Sequence, residues 1–470
     1  MRNERKFKPH NYQKKTIKFF ISRASAGAFL DPGLGKTMIS YSAFDILKEQ
    51  GLIDKLFVVT LRRPAYKVWP DEIRKWGLPF KSHVLHGKGK DLKYLRDKSI
   101  DVFIINYEGL DWLLDQFKFN STKNAIRKFM LVFDESSKLR NTNTNRFKIV
   151  RELIGYFKRR YILTGTPAPK GLIGLFGQIF ALDGGKRLGQ YITYFRMKYC
   201  DKVQIGEDGP LIYNIKPGVE PIIYKKIDDI VIRFGEEELD NIPKLVVRDI
   251  RIELPRKARA AYDDLKRDLI TAIDNHVVVA KNAGVATQKL RQVANGGLYF
   301  DKLAKRGQDR EWSLLHNEKT DAVLELVDEL QSHPVLIGYE FHHDLARLRA
   351  ALPKGTPCLT DVSMKQYEAL ERDWNRGNIP IALAQINSIS HGNNLQGSGA
   401  AIIVHSLIWN YEDYDQFLKR IKRQGNKAKR VYVYRIIGER TVDDVILESY
   451  IRKGATQDDL FNALKRSLKS

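Results

Sequence analysis

Short apolar runs rich in β-branched and aromatic residues recur along this chain, and each is followed by a longer amphipathic stretch. In the first part the runs are Ala26–Leu30, Leu56–Val59, Val102–Ile105, Met130–Phe133 and Tyr161–Leu163. Runs this short, bounded by polar residues or glycine, predict buried strands of a parallel sheet with helices between them. The pattern restarts with Val335–Ile337, Ile381–Ala384, Ala401–Val404 and Val431–Ile437. An α/β chain of two lobes is the simplest architecture. The length, 470 residues, agrees, because it exceeds what one core usually organises.

The stretch between the two sets of strands differs. Up to about residue 245 it is aromatic and basic and carries an acidic cluster, Glu236–Glu238; from Pro255 to about Val293 the spacing suits long helices. The expected division is a first lobe over 1–175, a largely helical bridging region over 176–317, a second lobe over 318–455 and a tail over 456–470. The closing KRSLKS is expected to fray.

Charge narrows the class of partner. Eighty basic residues against fifty-six acidic ones give a net charge of +24, spread along the chain. Such an excess favours a polyanion through counterion release. Two cysteines, Cys200 and Cys358, stand far apart without metal-ligand spacing, which argues against a disulfide framework or a zinc site. No run of eighteen apolar residues predicts a membrane helix, and no apolar stretch of signal type follows the basic start MRNERKFKPH. The expected location is intracellular. The pair His342–His343 reads as a helix start, and no nuclease constellation stands out.

The strongest local signal is AFLDPGLGKT. A strand ending at Leu30 runs into a turn with Gly33 and Gly35, and a helix opens near Lys36. Glycines let backbone N–H groups cradle phosphate oxygens, and the helix N-terminus adds a favourable dipole. In such a loop the lysine, Lys36, neutralises β and γ phosphates, and the Thr37 hydroxyl holds Mg²⁺. The generic pattern GxxxxGK[ST] is met only at its GKT end, since Leu30 stands where the first glycine belongs. A chance turn is the competing reading.

A second run ends in MLVFDESS. Asp134, at the strand end, suits a Mg²⁺ ligand, and Glu135 suits the residue that polarises an attacking water. The competing reading is an acidic helix cap. Position favours the first reading, because in a parallel sheet both strand ends lie on the carboxyl edge, where ligands bind. A third strand ends in TGTP, Thr164–Pro167. In the second lobe, YDQFLKRIKRQGN spaces Gln416, Arg420 and Arg423 at i, i+4 and i+7, one face of a helix. Such arginines are commonly solvated, yet phosphoryl transfer gains greatly from an arginine that meets the γ phosphate.

Together these segments resemble superfamily 2 helicases of the Swi/Snf type, in the compact form often encoded by bacteriophages. KPHNYQ resembles the adenine-recognition motif and places Gln13 at the base. DPGLGKT resembles motif I, LFVVTLRRPAYKVW motif Ia, IINYEGL the TTYE segment and DESSKLRN the DEAHRIKN segment. TGTP is similar to motif III, and LIGLFGQIFALD and KLRQVANGG resemble further family segments. ISHGNNLQGSG resembles motif V, QFLKRIKRQGN motif VI, and TVDDVIL the trailing TVDE segment. Three departures stand out: Ser137 where a histidine is usual, Asn426 where a glutamine is usual, and Thr60 where a proline is common. In relatives that histidine couples ATP chemistry to motif III.

The resemblance implies two RecA-like lobes with ATP and Mg²⁺ in the cleft between them. ATP would meet Gln13, Asp31, Pro32, Gly33, Leu34, Gly35, Lys36, Thr37 and Gly392. Thr37 and Asp134 would hold the metal, while Lys36, Glu135, Arg420 and Arg423 would carry the chemistry. DNA, single-stranded, forked or in a junction, would meet Arg62, Arg63, Lys138, Asn141, Ser390, Asn394 and Gln396. The implied activity is an ATP-dependent DNA helicase or translocase of phage-type replication, repair or recombination, in the cytoplasm of a host bacterial cell. Its rivals are duplex translocation without strand separation, an RNA motor and a binding module with a dead ATP site.

Overall fold

A computed structural model describes the chain except for residues 1–6, 120–127, 166, 168–170, 205–210, 236–237, 239–241, 275–279, 301–309, 331–332, 390–393 and 452–470; at 119, 212, 268–274, 280–284 and 286 it describes the backbone alone. Ser390, Gly392, Thr166, most of the acidic cluster Glu236–Glu238 and the tail 456–470 therefore lie outside the described residues. The chain forms two compact units, 1–240 and 241–470.

The first unit is built on seven strands: β1 (Ser25–Leu30), β2 (Lys55–Thr60), β3 (Ser82–Val84), β4 (Val102–Asn106), β5 (Phe129–Asp134), β6 (Arg159–Thr164) and β9 (Val231–Phe234). Their order is β3-β4-β2-β5-β6-β1-β9, and every pairing is parallel. The central strands are buried along nearly their whole length, which is why they read as unbroken apolar runs. Register aligns the strand ends. Val59 lies beside Phe133 on one side and Ile105 on the other, and Phe29 lies beside Thr164. The carboxyl ends of β1, β6, β5, β2 and β4 thus follow one another along a single edge. The core packs Phe57, Phe103, Phe133, Leu131 and Ile162 of the sheet against helix Leu175–Asp183, whose nine residues are all buried.

Between that helix and β9 stand helix Ile192–Tyr199, the antiparallel pair β7 (Cys200–Gln204) and β8 (Leu211–Ile215), and helix Glu220–Ile227. The second unit carries a five-stranded parallel sheet. Its strands are β10 (Lys244–Ile252), β13 (Val335–Tyr339), β14 (Ile381–Gln385), β15 (Ala401–Val404) and β16 (Arg430–Gly438), in the order β10-β16-β15-β13-β14. Long helices Arg256–Asp274 and Ala280–Asn295 occupy the region where helical spacing is expected, followed by the short antiparallel pair β11 (Gly297–Tyr299) and β12 (Trp312–Leu314). The stretch 176–317 is shared between the units, since β9 borders the first sheet and β10 the second. Neither strand stands out in the sequence, because β9 is four residues long and β10, KLVVRDIRI, is a half-exposed edge.

A buried polar cluster joins the helices of the second unit. Lys319, fully buried, donates to Asp443 Oδ2 at 2.6 Å and to Asn295 Oδ1 at 2.8 Å. Nearby Asp344 takes a bond from Arg347 Nη2 at 2.9 Å and from Ser406 Oγ at 2.7 Å. His342 and His343 do open a helix, His342–Ala351.

Candidate active site

The glycine turn after β1 has the backbone that its sequence demands. Gly33 stands at φ 96° and Gly35 at φ 75°, both in the left-handed region that favours glycine. Helix Lys36–Glu49 opens directly after Gly35, with Thr37 its second residue. Lys36 Nζ donates to Leu30 O at 2.8 Å, back to the start of the turn. Helix Asn11–Ile21 presents Gln13 to the same turn: its Nε2 donates to the carbonyl of buried Leu34 at 3.2 Å, and Tyr12 Oη donates to that carbonyl at 3.3 Å. The Gln13 Oε1 accepts from the His10 backbone N–H at 2.9 Å, which fixes the amide's orientation. Gln13, Asp31, Pro32, Gly33, Leu34, Gly35, Lys36 and Thr37 are thereby gathered at the end of β1.

The acidic pair sits at the end of β5. Asp134 Oδ2 accepts two bonds, from Thr60 Oγ1 at 2.9 Å and from Trp69 Nε1 at 3.0 Å. Both donors come from buried residues. Among the described residues no hydrogen bond is made to the other oxygen, Oδ1. Glu135 has left-handed backbone angles, φ 59° and ψ 53°, which for a residue with a side chain cost about 1–3 kcal/mol. The conformation is braced by Tyr107, at the end of β4, whose Oη donates to Asp134 O at 2.9 Å and Glu135 O at 3.3 Å. Burial, then the neighbouring carboxylates of Asp134 and Glu135, push the Tyr107 phenol well above its usual range, so it stays a donor. Glu135 Oε1 accepts from Ser137 Oγ at 3.1 Å and meets Thr164 Oγ1, at the end of β6, at 3.5 Å. The serine that replaces the family's histidine thus holds the glutamate itself. Ser136 Oγ donates to Gln178 Oε1 at 2.8 Å, and Gln178 Nε2 donates to Pro167 O at 2.5 Å, tying the acidic turn to the segment after β6.

The candidate nucleic-acid contacts of this unit follow two neighbouring strands. Arg62 and Arg63 lie on helix Arg62–Tyr66 after β2, Arg62 exposed and Arg63 half-buried. Lys138 is half-buried and Asn141 exposed after β5. Thr60, Trp69, Tyr107 and Gln178 are the supports that sequence reasoning missed. Thr60 was visible there only as a departure from a pattern; Trp69, Tyr107 and Gln178 lie in the segments LFVVTLRRPAYKVW, IINYEGL and LIGLFGQIFALD, which resemble family segments but do not mark these residues as supports.

In the second unit, the helical spacing of Gln416, Arg420 and Arg423 needs correction. The helix Tyr411–Leu418 ends before the arginines. The bonds Arg420 N–H to Phe417 O and Ile421 N–H to Leu418 O, three residues back, tighten the chain into turns that end at Gly425, φ 97°. Gln416 and Arg420 still meet, through Arg420 Nε donating to Gln416 O at 3.2 Å. Arg420 is buried, and its carbonyl accepts from Leu395 N–H at 3.3 Å. Arg423 donates to Asn394 Oδ1. Gln396 is half-buried beside them. The structure therefore brings Arg420 and Arg423 against the segment of Asn394 and Gln396.

Comparison with known proteins identifies the family. The model of the SNF2-related domain matches residues 12–302. Protein p41 of Acyrthosiphon pisum secondary endosymbiont phage 1 is 30% identical over 98% of this chain and 99% of its own length. A Mycoplasma genitalium protein, described as an uncharacterized ATP-dependent helicase, is 23% identical over 93% of this chain; the match spans 40% of that protein. The solved Sulfolobus solfataricus SWI2/SNF2 ATPase core in complex with dsDNA is 20% identical, covers 95% of this chain and 91% of its own, and superposes with a TM-score of 0.44. With the phosphate-type loop, the braced acidic pair and a family model matching well over half its length, the chain belongs to the SNF2-related family of helicase-like ATPases.

Proposed function

We propose that this protein is an ATP-driven motor on DNA, a helicase or translocase serving phage-type replication, repair or recombination. The observation that supports it best is the carboxyl edge of the first sheet. There Lys36 and Thr37 follow β1 and Asp134 and Glu135 stand at the end of β5, with only β6 between the two strands, and among the described residues Asp134 Oδ1 takes no hydrogen bond. Such a set fits a nucleoside triphosphate with Mg²⁺, a cation that favours one or two carboxylates plus phosphate oxygens. Bound there, Mg²⁺ would neutralise charge on the phosphates.

Each residue then has a task. Gln13 offers an amide beside the turn for the adenine. Gly33 and Gly35 free the backbone to wrap phosphate oxygens, and Lys36 supplies positive charge. Thr37 and Asp134 hold the metal. Glu135 accepts the proton side of the attacking water, with Ser137 and Thr164 fixing Oε1. In the second unit Arg420 and Arg423 are the candidate arginines for the γ phosphate, and Gly392 is a candidate nucleotide contact. DNA as partner is supported by the +24 charge and by Arg62, Arg63 and Lys138 following strands β2 and β5, with Asn141, Ser390, Asn394 and Gln396 as further contacts. Contacts of this kind go to phosphates and give no sequence readout. The phage relative supports the phage setting.

The testing experiment supplies ATP with fork, flap, four-way junction and blunt duplex DNA, and measures turnover and strand release on each. Turnover with release from forks or junctions is expected. Turnover without release anywhere would replace the helicase by a duplex translocase, and no turnover with any DNA would remove the proposal.

A further inference from the structure

The two donors that hold Asp134 Oδ2 come from one short segment. Thr60 ends β2, and Trp69 lies in the first turn of helix Val68–Trp76. Between them is helix Arg62–Tyr66, which carries Arg62 and Arg63. Ten consecutive residues therefore contain both the arginines assigned to DNA and both neutral donors on the carboxylate assigned to Mg²⁺. The contacts are firm. Thr60 and Trp69 are fully buried, and the Trp69 carbonyl accepts from Tyr41 Oη at 2.9 Å, with the two rings edge to face at 5.2 Å. Tyr41 belongs to helix Lys36–Glu49, which opens at the phosphate loop. Proline, common at position 60 in the family this chain resembles, has no hydroxyl to give.

We infer that Thr60 and Trp69 form a clasp through which DNA on Arg62 and Arg63 is felt at the metal carboxylate. The inference rests on the proposed DNA motor and names how that site is regulated. A neutral donor on Oδ2 fixes the carboxylate's rotation without competing for its charge. A shift of helix Arg62–Tyr66 on engaging a phosphate backbone moves one or both donors and so turns Asp134 relative to the loop. Thr60 and Trp69 are positioning residues in this scheme; they touch neither ligand.

Linkage supplies the test. If DNA tightens the nucleotide by some factor, the nucleotide must tighten DNA by the same factor, and such factors are typically about 5- to 150-fold. The affinity of the full chain for a fluorescent, non-hydrolysable ATP analogue with Mg²⁺ is measured with and without blunt duplex DNA. The wild type is expected to show a factor above one. Thr60→Val, of equal shape, is expected to bring it close to one, and Thr60→Ser to restore it. Trp69→Phe, which removes the other donor and keeps a ring, is read the same way if Thr60→Val does not fold. A merely structural role would weaken both ligands and leave their ratio intact; an unchanged ratio in Thr60→Val overturns the clasp alone. A wild-type factor of one overturns the motor proposal and the clasp with it.

Discussion

Gly35 illustrates how much a single position decides. Its φ of 75° already disfavours any side chain, and a Cβ placed there would lie 2.5 Å from Gln13 Nε2. Gly35→Ala must therefore strain the turn by about 1–2 kcal/mol and push the Gln13 amide away. We expect ATP affinity to fall about tenfold or more, by the loss of a placed polar contact, and the preference for ATP over GTP to shrink. Titration with both nucleotides checks this; an unchanged preference would separate Gln13 from base recognition. Lys36, Thr37, Asp134 and Glu135 were legible in the sequence because each sits in a local pattern that ends a strand. Their supports were not. Thr60, Trp69 and Tyr107 reach the acidic pair from other strand ends and a helix, and no spacing in the chain announces a hydrogen bond made between separate elements.

At the scale of elements, the nine buried strands could be read from their apolar runs because both faces of a parallel sheet are covered. In the two parallel sheets the strands that escaped reading are short or lie at edges, Ser82–Val84, Val231–Phe234 and Lys244–Ile252, and the two small antiparallel pairs escaped it as well. An edge need bury only part of its surface, so charged residues such as Arg248 and Asp249 interrupt the signal. The end of helix Tyr411–Leu418 was equally hidden, since spacing alone does not show where a helix tightens and stops. Beyond the helix, Arg423 is held by Asn394. Arg423→Ala is expected to keep nucleotide affinity within about threefold and to lower turnover by about 1,000-fold or more, as for other arginines acting on a γ phosphate. Single-turnover hydrolysis beside equilibrium binding measures both, and near-normal turnover would leave Arg423 a structural tie.

Across the molecule, two units each carry their own core, and their stability need not respond alike to conditions. The second unit buries neutral histidines. Burial, chiefly, lowers the pKa of His316 to about 4 and of His405 to about 3. The unfolded chain takes up these protons near pH 6.5, while the folded unit refuses them until far lower pH. The stability is therefore present above about pH 6.5 and is lost as pH falls toward 4, on the order of 2 kcal/mol per histidine by pH 5. Urea unfolding at pH 7, 6 and 5, followed by hydrogen exchange in the strands of each sheet, is expected to show the second unit weakening; flat stability of its strands over that range would contradict the buried neutral histidines. The central claim concerns the first unit's edge, that Lys36, Asp134 and Glu135 there hydrolyse ATP in response to DNA. Its most direct measurement is steady-state ATP turnover, with and without duplex DNA, of the wild type beside Lys36→Ala and Glu135→Gln. The account predicts turnover that rises with DNA in the wild type and is abolished in both variants, each still binding DNA; wild-type turnover in either variant would contradict it.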